Sequence, residues 1–321
     1  EERTIWDLVV LDEASQISIP EFLVATTGLH PNGTMIVVGD HRQMPPIVHT
    51  IDPDDPTLAI DPFPVYRSLF DLIRIRDDDA IASIKFSRSF RIHRDVAEFL
   101  RRAIYSKDDI ALHSLRRDIL GGPTSSDTDL GVAIAASPCA IVLVCHNEAS
   151  SQQKNPLEID IALSAIKAIS ALDSEASIGI VVPHRAQRAA LRELILHETG
   201  DQRLVERVDT VERFQGDERD VIIFSATESD PIYLQAAGGF LFDPRRFNVA
   251  ISRAKRKLIV VASRELFAAI PKDIAEFENA EIWQMLHQDI CTEPIWQGVV
   301  AGYNVECRGS SGLLDSAVEP G

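Results

Sequence analysis

Two short polar clusters each follow an apolar run, at the point where a strand would release its chain into solvent. The first is Asp12-Glu13-Ala14-Ser15-Gln16, directly after Trp6-Asp7-Leu8-Val9-Val10-Leu11. In open α/β sheets ligands sit beyond the carboxyl ends of the strands. A nucleotide-hydrolysing site needs one carboxylate for Mg²⁺ and another to orient the attacking water. Adjacent residues at a strand end can splay to those two tasks. Asp, Glu and Ser after a strand also simply begin helices, and on this cluster alone the two readings are even. The second cluster, Gly39-Asp40-His41-Arg42-Gln43, follows Met35-Ile36-Val37-Val38. Gly39 allows a sharp turn that brings Asp40 and Gln43 out beside the first pair. A neutral amide there can sense a γ-phosphate without adding charge.

Two arginines could meet phosphate. Arg91 lies in Ser89-Phe90-Arg91-Ile92-His93 and Arg253 in Asn248-Val249-Ala250-Ile251-Ser252-Arg253-Ala254. The guanidinium fork donates two parallel hydrogen bonds to phosphate oxygens. For either arginine alone a surface salt bridge is the favoured reading.

The elements that must position these groups are visible as short, nearly unbroken apolar runs: Ile5 to Leu11, Met35 to Val38, Ala140 to Val144, Ile178 to Val182, Val221 to Ser225 and Leu258 to Val261. Continuous runs mark strands buried on both faces. Helical spacing over His93 to Tyr105, Leu157 to Ser170, Arg185 to His197 and Arg245 to Ala254 places helices between them. The alternation predicts an α/β fold with mostly parallel sheets. The proline-rich stretch Thr50 to Pro64 reads as a connector, Gly121 to Asp129 as a surface loop, and Gly309 onwards as a fraying end.

A net charge of −17 over 321 residues, with 45% hydrophobic and 25% charged residues, describes a globular chain. Its acidity argues against wholesale electrostatic capture of nucleic acid. Two local basic stretches run the other way: Lys85, Arg88, Arg91, Arg94, Arg101 and Arg102, then Arg245, Arg246, Arg253, Lys255, Arg256 and Lys257. A solvated, acid-paired face is the plain reading for such runs. No apolar run reaches the ~18 residues of a membrane span, and neither a signal-peptide plan nor a C-x-x-C pair occurs. The expectation is an intracellular protein, cytoplasmic or nuclear, that is not secreted and does not contact membrane.

Taken in order, the clusters resemble the motifs of superfamily 1 helicases. Asp12-Glu13-Ala14-Ser15-Gln16 and Gly39-Asp40-His41-Arg42-Gln43 look like motifs II and III, and Ser89 to His93 like motif IV, with Phe90 where the family usually writes Tyr. Ile180-Val181-Val182-Pro183-His184-Arg185-Ala186-Gln187 resembles the strand-and-turn written T-P-Y-x-x-Q, with His184 in place of Tyr. Val208 to Glu218 is similar to motif V and Asn248 to Ala254 to motif VI. The wording is that of the 5′→3′ branch, which includes the nonsense-mediated decay and Dna2-type helicases. Ser225-Ala226-Thr227 reads S-A-T, a superfamily 2 signature, but lies downstream of motif V and is expected to end a buried strand.

The resemblance implies a RecA-like P-loop motor: residues 1–62 as the tail of a first RecA-like domain plus connector, 63–290 as a complete second one, and 291–321 as a C-terminal tail. It implies ATP and Mg²⁺, with Asp12 holding the metal, Glu13 orienting water, Gln43 sensing the γ-phosphate with Asp40 beside it, and Arg91 and Arg253 as arginine fingers. Gly216 would permit close backbone approach and Glu218 would reach toward the ribose. Thr210, Pro183 and His184 would contact the backbone of single-stranded DNA or RNA, an ordinary surface histidine being the competing reading of His184. No glycine is followed by lysine, so the phosphate-wrapping G-x-x-x-x-G-K-[ST] loop does not occur. In this family it precedes the acidic pair, and it is expected upstream of Glu1, in the missing half of the motor in cis. The function implied is part of an ATP-dependent 5′→3′ helicase or translocase; the alternative is a non-catalytic nucleic-acid-binding or scaffolding protein with a helicase-like fold. This chain alone is expected to be inactive as an ATPase.

Overall fold

The computed structural model describes residues 5–46, 68–76, 81–122, 129–214, 218–237, 239, 241–270 and 274–312. The connector at 50–64 and Gly216 lie outside the described residues. The chain divides into two compact units between Lys85 and Phe86.

In the first unit, β1 (Trp6–Leu11) runs parallel to β2 (Leu29–Val37), and α1 (Ile19–Thr26) links them. A capping box starts α1, with Glu21 accepting from the Ser18 N–H at 2.9 Å. Helix α2 (Leu69–Arg76) belongs to this unit, so the unit extends past the connector. A Cβ on Gly39 would sit 3.0 Å from both the Phe70 ring of α2 and the Ser15 N, so a larger residue would have to push a neighbour aside. Leu8, Val10 and Ile36 remain exposed, although parallel strands are ordinarily buried on both faces.

The second unit begins with a small parallel pair, β3 (Arg88–Ser89) and β4 (His113–Ser114), flanking α3 (Arg94–Ala103). After α4 (Leu130–Ala136) come β5 (Ile141–His146), α5 (Pro156–Leu172), β6 (Ile178–Val182), α6 (Arg185–Thr199), the short α7 (Gln202–Glu206) and β7 (Val208–Thr210). Then follow β8 (Arg219–Ser225), α8 (Pro231–Ala237), α9 (Pro244–Ile251), β9 (Ala254–Ser263), α10 (Arg264–Ala268) and α11 (Ile274–Met285), which runs into a π-helical turn at Leu286–Ile290. The hairpin β10 (Cys291–Val300) and β11 (Tyr303–Ser310) completes the unit. Seven strands form one sheet in the order β10-β11-β5-β9-β8-β6-β7. The five from β5 to β7 are parallel.

Alternation along each strand divides the core. Val142 and Val144, Ile178 and Ile180, and Val221 and Ile223 pack against α4, α5 and α6. On the opposite face Phe224 meets Phe247 edge-on at 5.6 Å, and Phe247 packs on Trp283 at 4.4 Å. Both faces are covered, which is why these strands read as unbroken Val/Ile/Leu runs. Ser225 ends β8 fully buried, as expected for the S-A-T stretch.

Three expectations need correction. Residues from Cys291, read as a tail, and Gly309-Ser310, read as fraying, form the hairpin that pairs with β5. Ser310 is buried, and its Oγ accepts from the Ile141 N–H at 3.4 Å. A two-residue turn with Ala301 at φ 49° and Gly302 at φ 86° matches the strand twist. The helix expected to reach Ala254 ends at Ile251, and Ala254 opens β9. Lys257, placed in a basic surface stretch, is fully buried. Its Nζ donates to the carbonyls of Ile134, Ala135 and Ser137 at 3.0, 3.0 and 2.7 Å, capping the C-terminal end of α4.

Burial pushes the Lys257 ammonium down to about 7, against roughly 10.4 for a free lysine. Lys257→Met is expected to cost about 1–3 kcal/mol, because three buried acceptors lose their donor. The folded state binds this proton less tightly than the unfolded chain does. The wild-type advantage should therefore widen as pH rises from about 7 toward about 10. Urea unfolding of both proteins across that range checks the sign.

Candidate functional site

The acidic groups of the first unit stand at neighbouring carboxyl ends. Leu11 pairs with Val37 in register, and the ladder continues into the loops through Val38 N–H to the Leu11 carbonyl (2.8 Å) and Ala14 N–H to the Val38 carbonyl (2.9 Å). Asp12 and Glu13 thus leave β1 beside the Gly39–Gln43 turn. Asp12 is exposed and its Oδ1 accepts from the Glu13 N–H at 2.9 Å. Glu13 adopts a left-handed conformation, φ 51° and ψ 36°, uncommon outside glycine and enriched at functional sites. Its Oε2 accepts from Gln16 Nε2 at 3.3 Å. Asp40 organises the other turn: Oδ1 accepts from the Arg42 N–H at 2.9 Å and Oδ2 from Gln43 Nε2 at 3.1 Å. Carboxylate oxygens of this kind are the donors a hard divalent cation takes, but Asp12, Glu13 and Asp40 do not converge here as a three-ligand cluster.

In the second unit the remaining residues fall at two opposite edges of one sheet. At the amino edge, Arg219 and Ala254 open β8 and β9 as register partners, and the Arg219 N–H donates to the Arg253 carbonyl at 3.1 Å. Just before them, Glu218 Oε2 takes Arg91 Nε at 2.8 Å and its Oε1 takes Lys255 Nζ at 2.5 Å. Lys255 first, then Arg91, hold the Glu218 carboxyl below the usual range. Arg91 remains about half exposed, with 46% of its side chain accessible. Arg253 is only 2% exposed and donates from Nε to the Val249 carbonyl at 3.3 Å. The structure therefore brings Arg91, Glu218 and Lys255 into contact, and it buries Arg253 beside them along the chain.

At the carboxyl edge, Val182 and Thr210 are register partners on β6 and β7, so Pro183 and His184 leave β6 beside the end of β7 at Thr210. Pro183 and Thr210 are buried, and His184 is partly exposed at the N-cap of α6. Behind them lies a buried polar network. Gln187 donates to Ser225 Oγ (3.0 Å) and accepts from the Asn155 N–H (2.8 Å). Glu158 accepts from the Thr227 N–H (2.8 Å) and Ser225 Oγ (2.5 Å) and meets His146 Nε2 at 3.1 Å. Glu228 Oε1 lies 2.7 Å from His184 Nε2.

Sequence reasoning missed the contributions of Lys255 and Glu228. Lys255 directly follows the motif that contains Arg253, and that adjacency was a usable signal. Glu228 had none, because its partner lies 44 residues away. The basic stretches are largely neutralised at home. Arg101 and Arg102 both clasp Glu98, at 2.7 and 2.6 Å, and Arg246 lies 3.6 Å from Glu212.

The family model described as an AAA domain (AAA_12) matches residues 65–265, more than half of the chain. The chain is 27% identical over 278 residues to the DNA replication ATP-dependent helicase/nuclease JHS1 of Arabidopsis thaliana, an alignment covering 83% of this chain and 19% of that protein. It is 27% identical over 286 residues to the DNA polymerase alpha-associated DNA helicase A of Saccharomyces cerevisiae, covering 82% and 39%. With the DNA replication ATP-dependent helicase/nuclease DNA2 of Mus musculus it shares 25% over 306 residues, covering 88% and 27%. The chain thus spans about a fifth to two fifths of the length of these relatives.

Proposed function

The chain belongs to the AAA_12 family of AAA domains, as a Dna2-like superfamily 1 helicase motor region, and from this we propose that it is part of a motor coupling ATP hydrolysis to 5′→3′ movement on single-stranded DNA or RNA. The observation that carries the proposal is the sorting of the second unit's motif residues. Arg91, paired with Glu218, and the buried Arg253 belong to the amino edge of β8 and β9, whereas Val182 and Thr210, which lead into the stretches we assign to the strand backbone, are partners at the carboxyl edge of β6 and β7. A rigid parallel sheet with chemistry at one edge and strand contact at the other can convert phosphate-driven rearrangement into a shift of the bound strand.

In this reading the first unit is the tail of a first RecA-like domain and the second unit a second RecA-like domain. Asp12, with Asp40 nearby, would hold Mg²⁺, which when bound would supply charge neutralisation for the nucleotide phosphates. Glu13 accepts a hydrogen bond from the attacking water and orients it. The Gln43 amide senses the γ-phosphate. Arg91 and Arg253 stabilise the charge that develops on the transferred group, and Glu218 reaches the ribose. Thr210, Pro183 and His184 contact the nucleic-acid backbone without reading sequence. All four cysteines are free thiols, in keeping with a reducing compartment, cytoplasm or nucleus. Among the described residues no helix is long and apolar enough to cross a membrane.

The test is a pair of measurements on the purified 321-residue chain. ATP turnover should match a buffer control, because no Gly-Lys-Ser/Thr loop positions the phosphates. Binding to labelled single strands should be weak, nearly independent of sequence, and fade as salt rises, because backbone contacts release counterions. Sharp preference for one short sequence, insensitive to salt, would place the chain outside the motor class.

A further inference from the structure

We propose that Glu228 is a positioning residue that holds His184 as a cation against a backbone phosphate of the bound single strand; this rests on the reading that the turn after β6 contacts nucleic acid. Glu228 is fully buried, its Oε1 lies 2.7 Å from His184 Nε2, and its Oε2 has no hydrogen-bond partner. An unneutralised carboxylate at a phosphate-binding edge would repel the strand. Paired with a protonated imidazole it becomes a neutral support, and the charge-assisted bond fixes the ring's orientation.

The backbone is built to deliver this carboxylate. Thr227 is left-handed, φ 71°, which a β-branched residue rarely adopts. Two bonds clamp it there: its N–H donates to Glu158 at 2.8 Å, and its carbonyl accepts from Asn155 Nδ2 at 3.2 Å. That corner directs the next residue, Glu228, toward His184. The ring itself keeps 17% of its side chain exposed at the head of α6. The first turn of α6 carries no acidic residue and no side-chain cap, so an anion is favoured there. Burial pushes the Glu228 carboxyl up, and the bond to His184 pulls it back down, with the Glu158 charge adding to the rise. Other charged groups around the pair are engaged: Glu158 with His146 at 3.1 Å, Arg188 with Asp209 at 2.7 Å, and Asp230 with the Ile232 N–H at 2.8 Å. Arg185, the next residue in the chain, is exposed.

The experiment is fluorescence anisotropy of a labelled oligothymidylate at low salt, with the whole chain, at about pH 6 and about pH 8. Wild type should bind about 3–10-fold tighter at the lower pH, as expected for uptake of up to one proton. Glu228→Gln keeps the shape and removes the charge, so this ratio should collapse toward one. His184→Arg, a fixed cation, should bind equally at both pH values. An unchanged ratio in a Glu228→Gln protein with wild-type melting would make Glu228 a structural strut and leave the nucleic-acid reading standing. Absence of binding by wild type at either pH would overturn both. If the variants do not fold, ¹⁵N NMR of the wild-type imidazole decides: a neutral His184 ring in the single-strand complex at about pH 7 sinks the proposal.

Discussion

Arg253→Ala is expected to lower kcat for ATP about 10³-fold, with a much smaller change in KM, in a protein that joins this chain to a P-loop unit. A finger acts when the γ-phosphoryl group departs, so its loss falls on the transition state more than on ATP binding. Arg253→Lys keeps the charge but not the planar fork and should rescue little. The burial of Arg253, with its Nε on the Val249 carbonyl, sets up the competing outcome. A purely structural arginine would lower the unfolding midpoint in both variants and leave kcat per folded molecule near normal. Steady-state ATPase with saturating single strand, alongside urea unfolding, separates the two. Single-strand binding without nucleotide should survive both changes, because the Thr210 and His184 edge is untouched.

Glu158→Ala is expected to remove about 3–5 kcal/mol of stability from the second unit. The carboxylate is fully buried and serves the His146 ring, the Ser225 hydroxyl and the Thr227 N–H together. Truncation leaves those groups in a dry interior with no acceptor, and the penalty is their uncompensated desolvation. It also frees the left-handed Thr227 corner to relax. Glu158→Gln retains a carbonyl acceptor and should cost about 1–2 kcal/mol. The buried Trp283 offers a fluorescence signal for the unfolding curve. A loss below about 1 kcal/mol for the alanine variant would mean that water enters and satisfies the network.

Much of the second unit was legible because its strands are covered on both faces. Ile178–Val182 could be bounded to the residue, since nothing but apolar side chains fits between two helical layers. The hairpin from Cys291 to Ser310 was not legible. Its first strand is half solvated, carries Pro294, and takes its register from β11 across two irregularities, so neither period nor composition marks it. Lys257 was misread for a related reason. Its three acceptors lie about 120 residues upstream, and a run of basic residues does not announce which member turns inward. At the candidate sites, motif wording proposed the groups, while their pairings came only from the fold. Glu218 between Arg91 and Lys255, and Glu228 against His184, are contacts of long sequence separation that no local pattern encodes.

The hairpin also decides how this molecule avoids its own kind. Strand β5 is fully buried along its length, and without β11 its outer row of amide and carbonyl groups would stand open on a Val/Leu-rich ribbon, a template for pairing with any other extended chain. The hairpin moves the exposed border outward to β10, where Glu293, Pro294 and two breaks in register spoil the template. Residues 291–310 thus act as a hem, and the least sequence-conspicuous part of the sheet governs its resistance to aggregation.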